Sequence, residues 1–356
     1  MKSSSGRSRR TGLGYERREI DPRLAEEWDG LADRVGAAPW TRPGWVAAWW
    51  RAFGSGRLQI VETRSQDGLA AVVALARKGR RAAGAANWHS PETPLVVSGA
   101  DEARELGAAL FDGARSVTLR DVPEPALDGL RDAATERRWS VLTRPTERSP
   151  YVEIHGSFED YLATLDRHHV KETLRRRRRL GEEGELVFSV EDGREQLDEL
   201  LAEGWPVEAS GWKRETGTAV DSTPETLVFY TDVARWAADR GILRLAFLRL
   251  DGRAIAFELA LEEHGVYAIL KGGFDVELRK FGPGGVITHD QLERAFRLGL
   301  SRYEFLGTDE SYKTVWTPTA HERVVLQAFA PTPAGLAERA AYTYGRPLAR
   351  RLLRRS

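Results

Sequence analysis

The stretch Arg279-Lys280-Phe281-Gly282-Pro283-Gly284-Gly285 decides how the rest of the chain is read. It follows a strand-like run at 266–271 and precedes a segment where Leu292, Ala295, Phe296 and Gly299 fall at i, i+3, i+4 and i+7. That spacing is one face of a helix, so the glycines sit where a strand hands over to a helix. A helix start offers N–H groups without intrahelical partners and the positive end of the helix dipole. Glycines let an anion reach those groups without meeting side chains. Arg279 and Lys280 add positive charge. The chemistry suits a diphosphate rather than a metal; on composition alone the plainer reading is a glycine-rich turn, and the position between strands and helix favours the phosphate cradle. Pro283 has no N–H, so Gly282, Gly284, Gly285 and Val286 carry the cradle.

Upstream, strand-like runs at 242–250, 253–262 and 266–271 are separated by Asp251-Gly252 and His264-Gly265, the pattern of a meander with tight hairpins. Thr223-Pro224 opens a helix that runs to Gly241, with Phe229, Val233, Trp236 and Ala237 on one face. Ser157 caps a further helix, which continues to about Leu180 and ends in the arginines at 175–179. The segment 205–217, rich in Trp, Gly and Ser, reads as a loop, and a strand at 302–306 closes the unit. The first half has the same order: helices at 24–35 and 43–53, a hairpin about Asp67-Gly68, then strand, helix and strand. Its corresponding region, near 89–101, has no glycine-rich motif.

The expected fold is therefore α/β (α+β), with two domains, each a mixed and mostly antiparallel sheet flanked by helices. The expected boundaries are a disordered tail at 1–14, a first domain at 15–148, a second at 149–330, and a helical tail at 331–356.

A chain of 356 residues that is 41% hydrophobic has room for two cores. Its 53 basic residues balance 53 acidic ones, which argues against a dedicated nucleic-acid binder. It has no cysteine, hence no disulfide, thiolate metal site or thiol nucleophile. No apolar run approaches the ~20 residues of a membrane span, and the Ser/Arg/Gly-rich start lacks the apolar core of a signal peptide, so a cytoplasmic location is expected. The histidines lack ligand spacing, and no metal is expected. The arginines at 175–179 read as a solvated helix end. The Arg/Leu segment at 346–355 reads as an amphipathic helix, with at most peripheral contact to an anionic membrane.

The loop also reads as R-x-x-G-x-G, which resembles the phosphate motif of the GNAT acyltransferase superfamily. A wider set of pieces resembles the CelD/BcsL-type acetyltransferases, a group linked to cellulose biosynthesis and related to the Fem peptidyltransferases. These are Pro39-Trp40, Trp45, Trp49-Trp50 and Phe53-Gly54, then Glu208-Ala209-Ser210-Gly211-Trp212-Lys213. Asp251-Gly252, Ile255-Ala256, Tyr267, Lys271, Phe274-Asp275, Gly282-Pro283-Gly284, Asp309, Tyr312-Lys313 and Trp316 follow in order. The resemblance implies tandem GNAT domains, of which only the second binds acyl-CoA, with the C-terminal tail at 331–356 packing back on the first. It implies N-acyl transfer, with acetyl-CoA as donor, to an amino sugar or a cell-envelope or exopolysaccharide precursor. A Fem-like transferase using aminoacyl-tRNA and a non-catalytic partner of a polysaccharide synthesis complex are the alternatives.

Acyl transfer to an amine needs a proton acceptor, donors for the carbonyl oxygen and a protonated leaving group. Arg279, Lys280, Gly282, Gly284, Gly285 and Val286 are the expected cofactor contacts. Tyr312-Lys313 resembles the aromatic–lysine pair of the Fem relatives, with Lys313 stabilising negative charge on the acyl oxygen; the plainer reading is a surface lysine on a strand. Asp309 is either a substrate-orienting base or a turn residue. Glu208 is either a general base or one half of a surface pair with Lys213, and Trp212 either a substrate platform or a buried anchor. Lys271 ends the third meander strand, where the fold places acyl carbonyls. Trp212 and Lys213 are the expected substrate contacts.

Overall fold

A computed structural model describes residues 15–16, 20–146, 148–211, 213 and 217–345. The tail at 1–14, the segment at 346–356 and Trp212 lie outside the described residues. The chain divides into two compact units. One comprises 1–50, 54–144 and 324–356, and the other 51–53 and 145–323.

In the first unit, β1 (Tyr15–Glu16) precedes helices α1 (Pro22–Val35) and α2 (Pro43–Phe53), each with proline in its first turn. A meander follows, β2 (Arg57–Ser65), β3 (Gly68–Lys78) and β4 (Arg81–Gly84), with β5 (Leu95–Val97) also on β3. Then come α3 (Ala100–Phe111), β6 (Ser116–Leu119), α4 (Glu124–Glu136) and β7 (Ser140–Pro145). Strand β6 lies parallel to β4, and Leu106, Leu110, Val117, Leu119 and Leu130 pack in one core.

The second unit opens with β8 (Ser149–Glu153), α5 (Phe158–Thr164) and α6 (Arg167–Glu183). The single helix expected here is broken at Leu165-Asp166. The Asp166 side chain accepts from His169 N at 2.8 Å and starts a second helix, a capping signal that the apolar periodicity conceals. Helix α6 continues past the arginines to Glu183, so they are not its end; they remain largely exposed along its surface. Arg175 and Arg176 pair with Glu172, Arg177 with Asp290 and Arg178 with Glu182, and Arg179 lies 5.2 Å over the Phe281 ring.

Next are β9 (Leu186–Glu191), α7 (Leu197–Glu208) and α8 (Pro224–Arg240). The meander β10 (Leu243–Leu250), β11 (Arg253–Glu263) and β12 (Val266–Phe274) turns at Asp251-Gly252 and His264-Gly265. All four turn residues have positive φ (50, 79, 51 and 76°), as two-residue hairpins demand. Helix α9 (Pro283–Arg297) leads to β13 (Arg302–Glu304), then α10 (Ser311–Thr314) and β14 (Ala320–His321). The sheet order is β14-β8-β13-β12-β11-β10-β9, and β12–β13 is a parallel pair among antiparallel ones. Meander, helix and parallel strand thus occur in both units.

One boundary differs from the expected one. Strand β15 (Val324–Phe329), read as the end of the second domain, lies in the first unit's sheet between β6 and β7. Leu326 pairs with Leu119 and Phe329 with Ser116. Helix α11 (Pro333–Ala340) follows it. Glu338 there accepts from Arg81 Nε at 2.7 Å, Arg115 Nε at 2.8 Å and Ser116 Oγ at 2.9 Å. Among the described residues no helix is long and apolar enough to cross a membrane.

Glu338→Ala removes three acceptor contacts and leaves Ser116, itself buried, without this partner. A loss of about 1–3 kcal/mol is expected, read as a lower urea midpoint with an unchanged slope.

Candidate functional site

Strands β12 and β13 pair over three residues only, Val266–Arg302, Tyr267–Tyr303 and Ala268–Glu304. Beyond Ala268, β12 runs on to Phe274 beside β11 while β13 ends at Glu304, so the outer edge of β12 opens. The register between β11 and β12 also slips. Leu259 faces Lys271 and Ala260 faces Ile269, which leaves Leu270 as an extra residue in β12. Such a bulge disrupts the ladder locally and re-aims side chains.

The glycine-rich loop follows directly. Residues Val276–Phe281 form a 3-10 turn capped by Asp275, and Gly282 (φ 59°, ψ 52°) is the residue before α9. Gly282 N–H donates back to Arg279 O at 3.0 Å, and Gly285 and Val286 donate to Gly282 O at 3.0 and 3.2 Å. Of the four expected amides, only Gly284 has no backbone acceptor among the described residues. Gly285 faces open space, with nothing within 4 Å of where a Cβ would stand. A cavity of about 280 Å³ lies between the starts of α6 and α9, lined by Gly282, Gly285, Arg176, Thr173 and His169 among others. Arg279 and Lys280 are exposed on the 3-10 turn, with Lys280 Nζ 4.6 Å over the Phe281 ring.

On the α7 side of β12, Glu208 is fully buried. Its Oε1 accepts from Lys213 Nζ at 3.1 Å and its Oε2 from Val220 N at 2.9 Å. Lys213 also donates to Gly272 O of β12. Neither residue forms the surface pair considered from sequence. The fit is close: a Cβ on Gly273 would stand 2.6 Å from Glu208 Cα, so glycine is required there. Lys271 donates to Thr218 O at 2.9 Å and lies 5.0 Å over the Tyr230 ring. Burial pulls its pKa down to about 8, with Glu208 opposing and Lys213 reinforcing the shift.

Lys313 sits on one-turn α10, not on a strand, and is buried. Its Nζ donates to Leu306 O at 2.9 Å and Thr308 O at 3.1 Å, and pairs with Glu310 at 2.7 Å. Three donors meet three acceptors. The contacts hold Leu306 (φ 52°) and Gly307 (φ 60°), a sharp turn in which a leucine is strained. Burial lowers the Lys313 pKa; Glu310 and Asp309 oppose this and Lys213 adds to it. The structure therefore brings Glu208, Lys213, Lys271, Lys313 and Asp309 into one electrostatic neighbourhood, with Tyr312 60% exposed at its rim.

Sequence reasoning missed Glu258. It lies on β11 opposite Gly272, buried, and its Oε2 accepts from Tyr267 Oη at 3.3 Å. Burial pushes its pKa up to about 7, against hydrogen bonds from Tyr267 and Thr288. The signal was available: a lone acid in Ala-Ile-Ala-Phe-Glu-Leu-Ala-Leu (254–261), a run apolar on both faces. Elsewhere, His289, Asp290 and Glu293 bring ligand-type atoms within 4.8 Å of one another, but Asp290 already accepts from Arg177 Nε at 2.8 Å.

Glu258→Gln tests the burial of this acid. A carboxyl with a raised folded pKa costs stability as pH climbs from its ordinary 4.5 to about 7. The glutamine variant should gain on the parent across that window, levelling near roughly 3 kcal/mol at 1.36 kcal/mol per unit. Urea melts at pH 4.5, 6 and 7.5 measure it; a constant difference across these pH values would show that Glu258 ionises normally.

Residues 167–314 match the family model described as an acetyltransferase (GNAT) domain. No curated protein sequence matches the chain. Three solved structures resemble it in fold. The C-terminal domain of a putative lysylphosphatidylglycerol synthetase from Agrobacterium fabrum has TM-score 0.54 and 15% identity, covering 89% of this chain and 95% of that one. FemX has TM-score 0.57 and 10% identity, covering 85% and 95%. A conserved protein of unknown function from Bacteroides thetaiotaomicron has TM-score 0.51 and 12% identity, covering 84% and 97%.

Proposed function

We propose, from a GNAT domain at residues 167–314, that the second unit transfers an acyl group from acyl-CoA, acetyl-CoA in the first instance, to an amine. The observation that carries this is the open, bulged edge of β12 running into a glycine-rich helix start beside a cavity. An extended thioester can lie along such an edge while its diphosphate meets the helix end. The β12 backbone beside Leu270 then offers a donor to the carbonyl oxygen.

Attack by the acceptor nitrogen forms an amide bond and breaks the carbon–sulfur bond. The amine proton must leave, and the thiolate takes one. Lys271, at the bulge and with a pKa near 8, is neutral often enough to accept that proton. Glu208 is already engaged by Lys213 and Val220 N, so its part is to hold these groups in place. Lys313 fixes the turn after β13. The exposed Tyr312 ring is suited to contact the acceptor. The CelD/BcsL-type resemblance supports an amino sugar or envelope precursor as that acceptor.

The fold likeness to FemX favours a second reading, aminoacyl transfer from a charged tRNA. The ion pairs that occupy most of the α6 arginines weigh against it.

Calorimetry with acetyl-CoA and with CoA tests the donor; no heat at millimolar ligand would reject it. Where binding is found, a thiol-release screen over amino sugars identifies the acceptor. The rate should rise with pH through about 8 and lose that limb in Lys271→Met. If the limb survives in the variant, the proton goes elsewhere.

A further inference from the structure

We infer that Arg176, on α6, supplies the guanidinium that clamps the donor diphosphate, in the role the sequence gives to Arg279 and Lys280. This rests on the acyl-CoA reading above. The loop is short of donors for so charged a group. Pro283 has no N–H, and those of Gly282, Gly285 and Val286 are engaged within the chain. Arg279 and Lys280 stand on the exposed 3-10 turn, and neither lines the cavity.

Arg176 does line it, about a hundred residues earlier in the chain. Its side chain lies across the loop: a Cβ on Gly282 would meet Arg176 Nη1 at 2.7 Å and Cδ at 3.1 Å. Glycine at 282 is what admits the guanidinium. The Nε edge is fixed by Glu172 Oε1 at 2.8 Å, which orients the group before any ligand arrives. Glu172 also binds Arg175, and these hydrogen bonds hold its carboxyl down at about 2, so the tether stays ionised at any working pH. An oriented arginine loses little freedom on meeting a diphosphate, and its planar donors match phosphate oxygens.

The rest of the cavity wall is mixed. The starts of α6 and α9 both face it, and two positive dipole ends favour an anion. His169 lines it too. Its Nε2 is buried with no partner among the described residues, and burial lowers its pKa, keeping the ring neutral. Asp166 and Glu172 oppose an anion, but Asp166 caps α6 and Glu172 is matched by two guanidiniums. The cavity therefore depends on Arg176 for a charge aimed at the loop.

The test is calorimetry with CoA on the full chain at low and high salt, comparing the parent with Arg176→Ala, Arg176→Lys and Arg175→Ala, each checked by its melting temperature. Arg176→Ala should bind roughly 10- to 100-fold more weakly and show a shallower salt dependence. Arg176→Lys should recover part of the affinity. Arg175→Ala, which shares the Glu172 tether but does not line the cavity, should bind like the parent. Undiminished affinity in folded Arg176→Ala or Arg176→Lys overturns the clamp and leaves the acyl-CoA reading standing. An equal loss in Arg175→Ala overturns it in favour of a general charge effect. No CoA binding by the parent removes both.

Discussion

Strands β12 and β13 touch for three residues and then part, and the second unit is organised around that divergence. Parallel neighbours need a crossover, here α9, whose start falls at the end of β12. The divergence leaves a strand edge that would ordinarily be an aggregation hazard. It is managed on one flank by Lys213 bonding Gly272 O, and beyond β13 by the turn that Lys313 secures. A bulge in the same strand adds twist just where the edge opens.

The charges around this opening are interdependent. Lys271 and Lys313 are both pushed toward neutrality by burial, and Lys213 pushes each further. Glu208 opposes the shift at Lys271, and Glu310 opposes it at Lys313. Removing one member of such a set leaves another buried and uncompensated, which costs more than the pair itself contributes. Glu258, on the strand behind, carries the opposite shift. An amine that deprotonates easily and an acid that deprotonates reluctantly thus occupy adjoining strands, the separation of pKa values that acid–base chemistry uses.

Much of the fold was legible because its signals are local. Asp251-Gly252 and His264-Gly265 mark hairpins by the backbone angles they permit, and Thr223 and Ser157 mark helix starts by their side-chain acceptors. The strand–loop–helix setting of Gly282 was equally plain. What escaped notice depends on partners far away. Nothing near Val324 indicates that its strand joins the sheet of residues 116–119. The partners of the α6 arginines are Glu172, Asp290, Glu182 and Phe281, so a run of like charge said little about what each one meets. Lys313 is buried, and its three acceptors come from a turn whose strain no sequence pattern announces. The break at Asp166 and the buried Glu258 were visible in principle, one as a cap inside a helical pattern, the other as an acid in an apolar strand.

The return of β15 to the first sheet also dictates an order of events during synthesis. The ribosome extends the chain from its N-terminus, and residues up to 145 leave it with a gap between β6 and β7 that only Val324–Phe329 can fill. The second unit's strands are contiguous by 321, so they emerge complete while the earlier-made sheet still waits for its penultimate strand. Closing a loop of some two hundred residues costs little more free energy than closing one of half that length, but it is slow. The nascent first unit therefore spends the intervening time with unpaired inner edges, and chaperone demand should fall on the half of the chain that is translated first.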